Sequence, residues 1–194
     1  VYDTRNDSDG GAWRNRTQNT SWYNETLGTA TRGTRKEFPA VAVIVAEEAQ
    51  VTIYDGDDPD LPMWMVFNRS TSGNSTMLGS SSPYATSCHM LNGILCVGMT
   101  TSGWGASVIR FISDSQSWLW AGSAYSYPVT GQVGQTIVER NDQTGWIAKT
   151  GTSPLANGNI NDVAMKVLPN APIDDATGLP VPTIATATAS GISV

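Results

Sequence analysis

The stretch Leu91 to Ile112, LNGILCVGMTTSGWGASVIRFI, constrains the fold more than any other part of this chain. Asn92-Gly93 stands between two apolar runs, and a type I′ turn needs positive φ at both central residues, which Asn and Gly tolerate. The chain is expected to reverse there, with Leu91 opposite Ile94, Met90 opposite Leu95, His89 opposite Cys96 and Cys88 opposite Val97. Paired residues share a face and successive residues alternate. Cys88 and Cys96 are therefore expected on opposite faces, as free thiols that behave as small hydrophobes. Secretion through an oxidising compartment is not indicated.

Helical signals are nearly absent beyond Glu37, where β-branched and aromatic runs are bounded by turn residues. FPAVAVIVA, VTIYD (51–55) and MWMVF (63–67) form a first group, with GDDPDLP as a turn. ATSCHML (85–91), ILCVGM (94–99), SVIRFI (107–112) and, after the turn 113–117, WLWA (118–121) form a second. NDVAMKVL (161–168), VPTIATAT (181–188) and GISV (191–194) form a third. The reading is all-β and antiparallel. Cys88 to Ala121 is expected as a four-stranded meander of the size of one β-propeller blade. Its first three strands are apolar on both faces, as in a blade packed between neighbours. The flanking groups look like partial blades, and a ring would need further blades beyond Val194 or from partner subunits. A β-sandwich built from the same meander is the alternative.

With 40% hydrophobic residues, 194 residues suffice for a core. Only 14% are charged and the formal net charge is −6, which argues against a nucleic-acid footprint and leaves solubility to Ser, Thr, Asn and Gly. No apolar run approaches the ~18 residues of a membrane span. The opening VYDTRNDSDGGAW has neither an initiator Met nor a signal-peptide pattern, so the chain reads as processed or as a window on a longer polypeptide. Six Asn-x-Ser/Thr sequons, starting at Asn6, Asn15, Asn19, Asn24, Asn68 and Asn74, are read as a consequence of composition.

Residues 1–36 are set apart from the β domain of residues 37–194. They are weakly basic (Arg5, Arg14, Arg16, Arg32, Arg35 and Lys36 against Asp3, Asp7, Asp9 and Glu25), while the rest of the chain is acidic. They are poor in aliphatic residues, with Trp13, Trp22 and Tyr23 among Arg14, Arg16 and Asn19. Such a mixture suits an extended N-terminal arm laid on another subunit, since Trp, Tyr and Arg serve as interface anchors. The alternative is that these aromatics cover one end of the chain's own β domain.

The phrases DSDGGAWRNR with TSWYNE, TRGTRKEFPAVAVIVAE, VTIYDGDDPDLPMWMVF and NDVAMKVLPNAPIDDATGLPVPTIATAT resemble the head of large structural proteins of tailed bacteriophages from marine and environmental bacteria. The resemblance covers most of the chain and rests on phrases and their order, with no catalytic motif. It implies a virion protein of the tail or tail fibres, whose early segment leads into a propeller-like β domain. It also implies other virion proteins and copies of itself as partners.

Groups that could carry chemistry are few. His89 is the only histidine. It shares a face with Cys96 but has no third group for a thiol dyad or a zinc site. Asp55, Asp57, Asp58 and Asp60 crowd YDGDDPD, but the twelfth position of a calcium loop counted from Asp55 is Val66, where a Glu is required. Asp-Gly-Asp-Asp-Pro is first of all a solvated turn. A glycosidase pair remains conceivable because sequence spacing does not constrain it. Residues 122–160, rich in Gly, Thr, Ser and Asn and seeded with Tyr125, Tyr127 and Trp146, are expected to be a long excursion that offers a contact surface. The expected partner contacts are Trp13, Arg14, Arg16, Trp22, Tyr23, Tyr125, Tyr127 and Trp146. The function expected is a non-enzymatic structural part of a phage virion that needs no cofactor or metal, attaches through its N-terminal part and scaffolds host-binding modules. The alternative is a carbohydrate-active module that binds or hydrolyses a bacterial surface polysaccharide.

Overall fold

The computed structural model describes residues 1–68, 78, 84–100, 105–119, 124–127, 136–140, 147–149 and 155–194. The hairpin forms in the expected register: β5 (Tyr84–Leu91) pairs with β6 (Ile94–Thr100) through Leu91 with Ile94, Met90 with Leu95, His89 with Cys96 and Cys88 with Val97. Asn92 and Gly93 turn with φ of 52° and 71°, the left-handed region a type I′ turn demands. Both cysteines are free.

The meander runs on in sequence order through β7 (Ala106–Arg110) and β8 (Ser115–Leu119). β8 starts at Ser115, earlier than the Trp118 expected, because Asp114 takes a positive φ of 51° and closes the turn after Ile112. Two further strands, β9 (Ala124–Tyr127) and β10 (Ile147–Lys149), extend the sheet to six. The four-stranded meander is present as expected, and what is corrected is the excursion 122–160: part of it makes ladder hydrogen bonds and continues the sheet.

A second sheet places β1 (Tyr2–Asp3), β2 (Val41–Ala46), β3 (Gln50–Asp55) and β4 (Met63–Asn68) in that order. A third joins β11 (Ile160–Lys166), β14 (Thr183–Thr188) and β15 (Gly191–Ser193), and the small hairpin β12 (Ile173–Asp174) and β13 (Leu179–Pro180) stands between β11 and β14 in the chain. Every pairing among the described residues is antiparallel. The protein is all-β, with only two four-residue α-helices among the described residues, α1 (Ser21–Asn24) and α2 (Ile137–Arg140).

Alternation explains the layering. Leu95, Val97, Met99 and Ile109 of the six-stranded sheet point into one core with Val51, Ile53, Met65 and Phe67 of the first sheet. Cys96, Ala106 and Val108 point the other way, into a separate core with Ile160, Val163 and Met165 of the third sheet. The six-stranded sheet is therefore the middle of three layers, which is why its strands are apolar on both faces. No closed barrel or propeller ring forms among the described residues; the sheets stack. Gly98 lets β11 lie close, since a Cβ there would sit 2.6 Å from Ile160 Cγ2 and 3.0 Å from Val163 Cγ1. The Thr86 hydroxyl fastens the crossing by donating to Ile160 O (2.9 Å).

The extended-arm expectation for residues 1–36 is corrected. Trp13 and Trp22 are core residues of this chain. Phe38 centres an aromatic cluster with Trp13 (5.2 Å), Trp64 (4.8 Å) and Phe111 (5.2 Å), and Trp22 meets Trp64 and Phe111 edge-on. Such pairs contribute about 0.5–1.5 kcal/mol each beyond area burial. The physical reason is supply: the first and middle sheets leave a gap at one end that their own aliphatic side chains do not fill. The segment before Phe38 provides the large rings. Residues 1–36 and 37–194 thus share one core instead of forming arm and domain.

Candidate functional site

The charged groups singled out in the sequence act mostly as internal ties. Asp7 is buried and accepts from the Tyr2 hydroxyl, from Trp13 Nε1 (2.7 Å) and from the Asn92 backbone N–H (2.9 Å). Asn92 completes the clasp: its side chain accepts from Ser8 N (2.9 Å) and donates to Ser8 Oγ (3.0 Å) and Pro180 O (2.9 Å). Burial raises the Asp7 carboxyl above its usual range against the lowering effect of these donors, and raises the Tyr2 hydroxyl too. Asp114 receives the N–H and hydroxyl of Ser21 at 2.8 and 3.0 Å, which anchors the start of α1 to the β7–β8 turn.

Arg32, 0% exposed, donates to four backbone carbonyls, those of Trp22, Arg35, Lys36 and Trp64, and lies 4.5 Å over the Trp64 ring. Burial pushes its guanidinium down to about 10, with Glu25 and Glu37 opposing. Arg35 holds both oxygens of Asp55 (2.7 and 2.8 Å) and Asp57 Oδ2 (2.8 Å). Asp57 also accepts from the Ala40 and Val41 N–H groups. Desolvation works to raise its carboxyl, but these donors and Arg35 win and hold it below the usual range. The Asp55 to Asp60 cluster is thus a braced turn in which Asp58 accepts from Asp60 N.

Among the expected contact residues, Arg14 donates to Phe38 O (2.7 Å), and Arg16 pairs with Asp9 (2.6 Å) and donates to Thr177 O. Tyr23 is half-buried, stacked under Lys36 and bonded to Glu37. Tyr125 and Tyr127 lie in β9, and Trp146 lies outside the described residues. Burial raises the Cys88 thiol and pushes Cys96 up to about 12, opposite to what a nucleophile needs. No group of three or more His, Cys, Asp and Glu side chains gathers among the described residues, and no helix there is long and apolar enough to cross a membrane.

One cleft stands apart from these ties. Between the middle sheet and the β12–β13 hairpin lies a cavity of ≈ 100 Å³, walled by Ile94, Val108, Ile112, Leu179, Val181 and Ile184. Two opposite charges line it, Arg110 from the end of β7 and Asp174 from the end of β12. Arg110 Nη1 donates to Ser117 Oγ (2.8 Å). Burial lowers the Arg110 guanidinium, and Asp174 opposes that shift across the cleft without forming an ion pair. Sequence reasoning missed both residues, although a lone arginine inside SVIRFI, a run apolar on both faces, was a usable signal. Asp174 gave none, because only the hairpin brings it there.

Together these features define an all-β protein of three stacked antiparallel layers, with a charged cleft between the middle sheet and the β12–β13 hairpin. No family model, curated protein or solved structure matches the chain.

Proposed function

We propose that this chain is a non-enzymatic structural component of a tailed-phage virion, belonging to the tail or its fibres and bound to other virion proteins and copies of itself. The observation that carries the reading is the use of chemically capable groups as braces: Asp7, Asp55, Asp57, Asp114, Arg32 and Arg35 are each committed to backbone or side-chain partners inside the fold. Such a molecule acts through its surfaces. Attachment through an N-terminal arm is not part of the proposal, because Trp13 and Trp22 are internal. Exposed Leu168, Ile173, Val181 and Ile192 on the third-sheet side are the better candidates for contact.

The test is immunogold labelling, with antibodies raised against this chain, of particles of the phage that encodes it. Label on tails is the expected result, and particles free of label would overturn the proposal. A parallel assay follows release of reducing ends from host capsule or lipopolysaccharide by the full polypeptide. Release that vanishes on Asp55→Asn or Asp57→Asn would replace the structural reading with the polysaccharide-cleaving one.

A further inference from the structure

We propose that the Arg110–Asp174 cleft is a binding site for a small α-amino acid, whose carboxylate meets the Arg110 guanidinium and whose ammonium meets the Asp174 carboxylate. The proposal is independent of the virion reading.

Charge decides the ligand class. A guanidinium carries five N–H donors, and taking it out of water is costly unless they are used. Arg110 makes one hydrogen bond to protein, to the neutral Ser117 hydroxyl. Asp174 uses Oδ1 to accept from Ala176 N (2.8 Å), and this bond is the only one its side chain makes. The two residues attract each other across the cleft without an ion pair. A bare anion on Arg110 would face Asp174, and a bare cation on Asp174 would face Arg110. A zwitterion satisfies both charges, and its carboxylate matches the planar guanidinium fork.

Size narrows the class. A cavity of about 150 Å³ takes a benzene ring, so ≈ 100 Å³ has room for glycine or alanine. The aliphatic walls of Ile94, Val108, Leu179 and Ile184 suit a short apolar side chain and offer no ring for a sugar to stack on. They also lower the local dielectric, which strengthens both charge contacts.

The experiment is calorimetry together with amide chemical-shift mapping on the full chain, titrated with glycine, alanine, N-acetylglycine and glycinamide. Glycine and alanine are expected to bind at millimolar concentration or below and to shift the amides of Ile94 and Val181. Each blocked analogue should bind at least about tenfold more weakly, the worth of one charge-assisted hydrogen bond. Asp174→Asn keeps an oxygen for Ala176 and should leave the turn intact while weakening glycine about tenfold or more. Arg110→Lys, which retains charge without the fork, should weaken it similarly. No binding of either amino acid, N-acetylglycine binding as tightly as glycine, or glycine binding unchanged in folded Asp174→Asn would each overturn the proposal.

Discussion

Asp7 shows how one side chain can tie a terminal segment to a distant turn. Its native carboxyl lies above the ordinary value of 3.8, so its contribution to stability is complete below that value and is lost as the pH rises through the native one. Asp7→Asn removes this titration but presents an amide to the Trp13 N–H, so the variant should be less stable than the natural chain at acidic pH. The gap should narrow as pH rises from 3.8 towards neutrality, which urea denaturation across that range will check. A gap that widens with pH would refute the assignment. Asn92 offers a second measurement at this scale. Asn92→Gly keeps the positive φ but removes three side-chain hydrogen bonds, at a cost of about 1–3 kcal/mol. Asn92→Ala should cost roughly 1 kcal/mol more, because alanine is strained at a φ of 52°. Equal midpoints for the two variants would show that backbone strain contributes nothing there.

At the level of the elements, the contact between the middle and third sheets depends on an absent side chain. A Cβ at Gly98 would lie 2.6 Å from Ile160 Cγ2 and 2.8 Å from Ser87 Oγ, and both neighbours are held in a packed layer. Gly98→Ala should therefore destabilise by about 1–3 kcal/mol through overpacking. The loss should appear first as faster hydrogen exchange in β11 and β14, leaving β2 to β4 protected. Uniform protection loss in all three sheets would mean that the layers open only together. The cysteines test the same layering chemically. They occupy opposite faces, with Cys96 in the second core and Cys88 against the first. Cys96 should not react with a disulfide reagent at pH 8 until denaturant is added, since it is fully buried and burial raises its thiol, whereas half-buried Cys88 should label first. Rapid labelling of Cys96 in the native protein would contradict its placement.

For the whole molecule, the decisive feature is that the first 36 residues belong to the core. A chain of residues 37–194 would expose Phe38, Trp64 and Phe111 where Trp13 and Trp22 now pack. Losing a buried tryptophan alone costs about 3–5 kcal/mol, a large part of an ordinary domain's stability. The truncated chain should lack near-ultraviolet circular dichroism and unfold without a cooperative transition, whereas an independent β domain would retain both. Trp22→Phe, which keeps a ring but drops the bond from Nε1 to Phe111 O, should remain folded with a lower midpoint.

Local chemistry determined the strands β2 to β8, β11, β14 and β15, the Asn92-Gly93 turn with its register, and the separation of the two cysteines, because these follow from φ preferences and from the two-residue alternation of a strand. The apolar character of both faces of LNGILCVGM and SVIRFI was legible as burial between two neighbours for the same reason. Only the tertiary structure decided where the N-terminal aromatics go. A segment without apolar periodicity carries no internal sign of whose gap its rings will fill, and here Phe38 and Phe111 lie at the centre of that gap. The six-strand extent of the middle sheet and the meeting of Arg110 with Asp174 were decided the same way. Arg110 and Asp174 lie far apart in the chain, and nothing in either local stretch encodes the distance between them once folded.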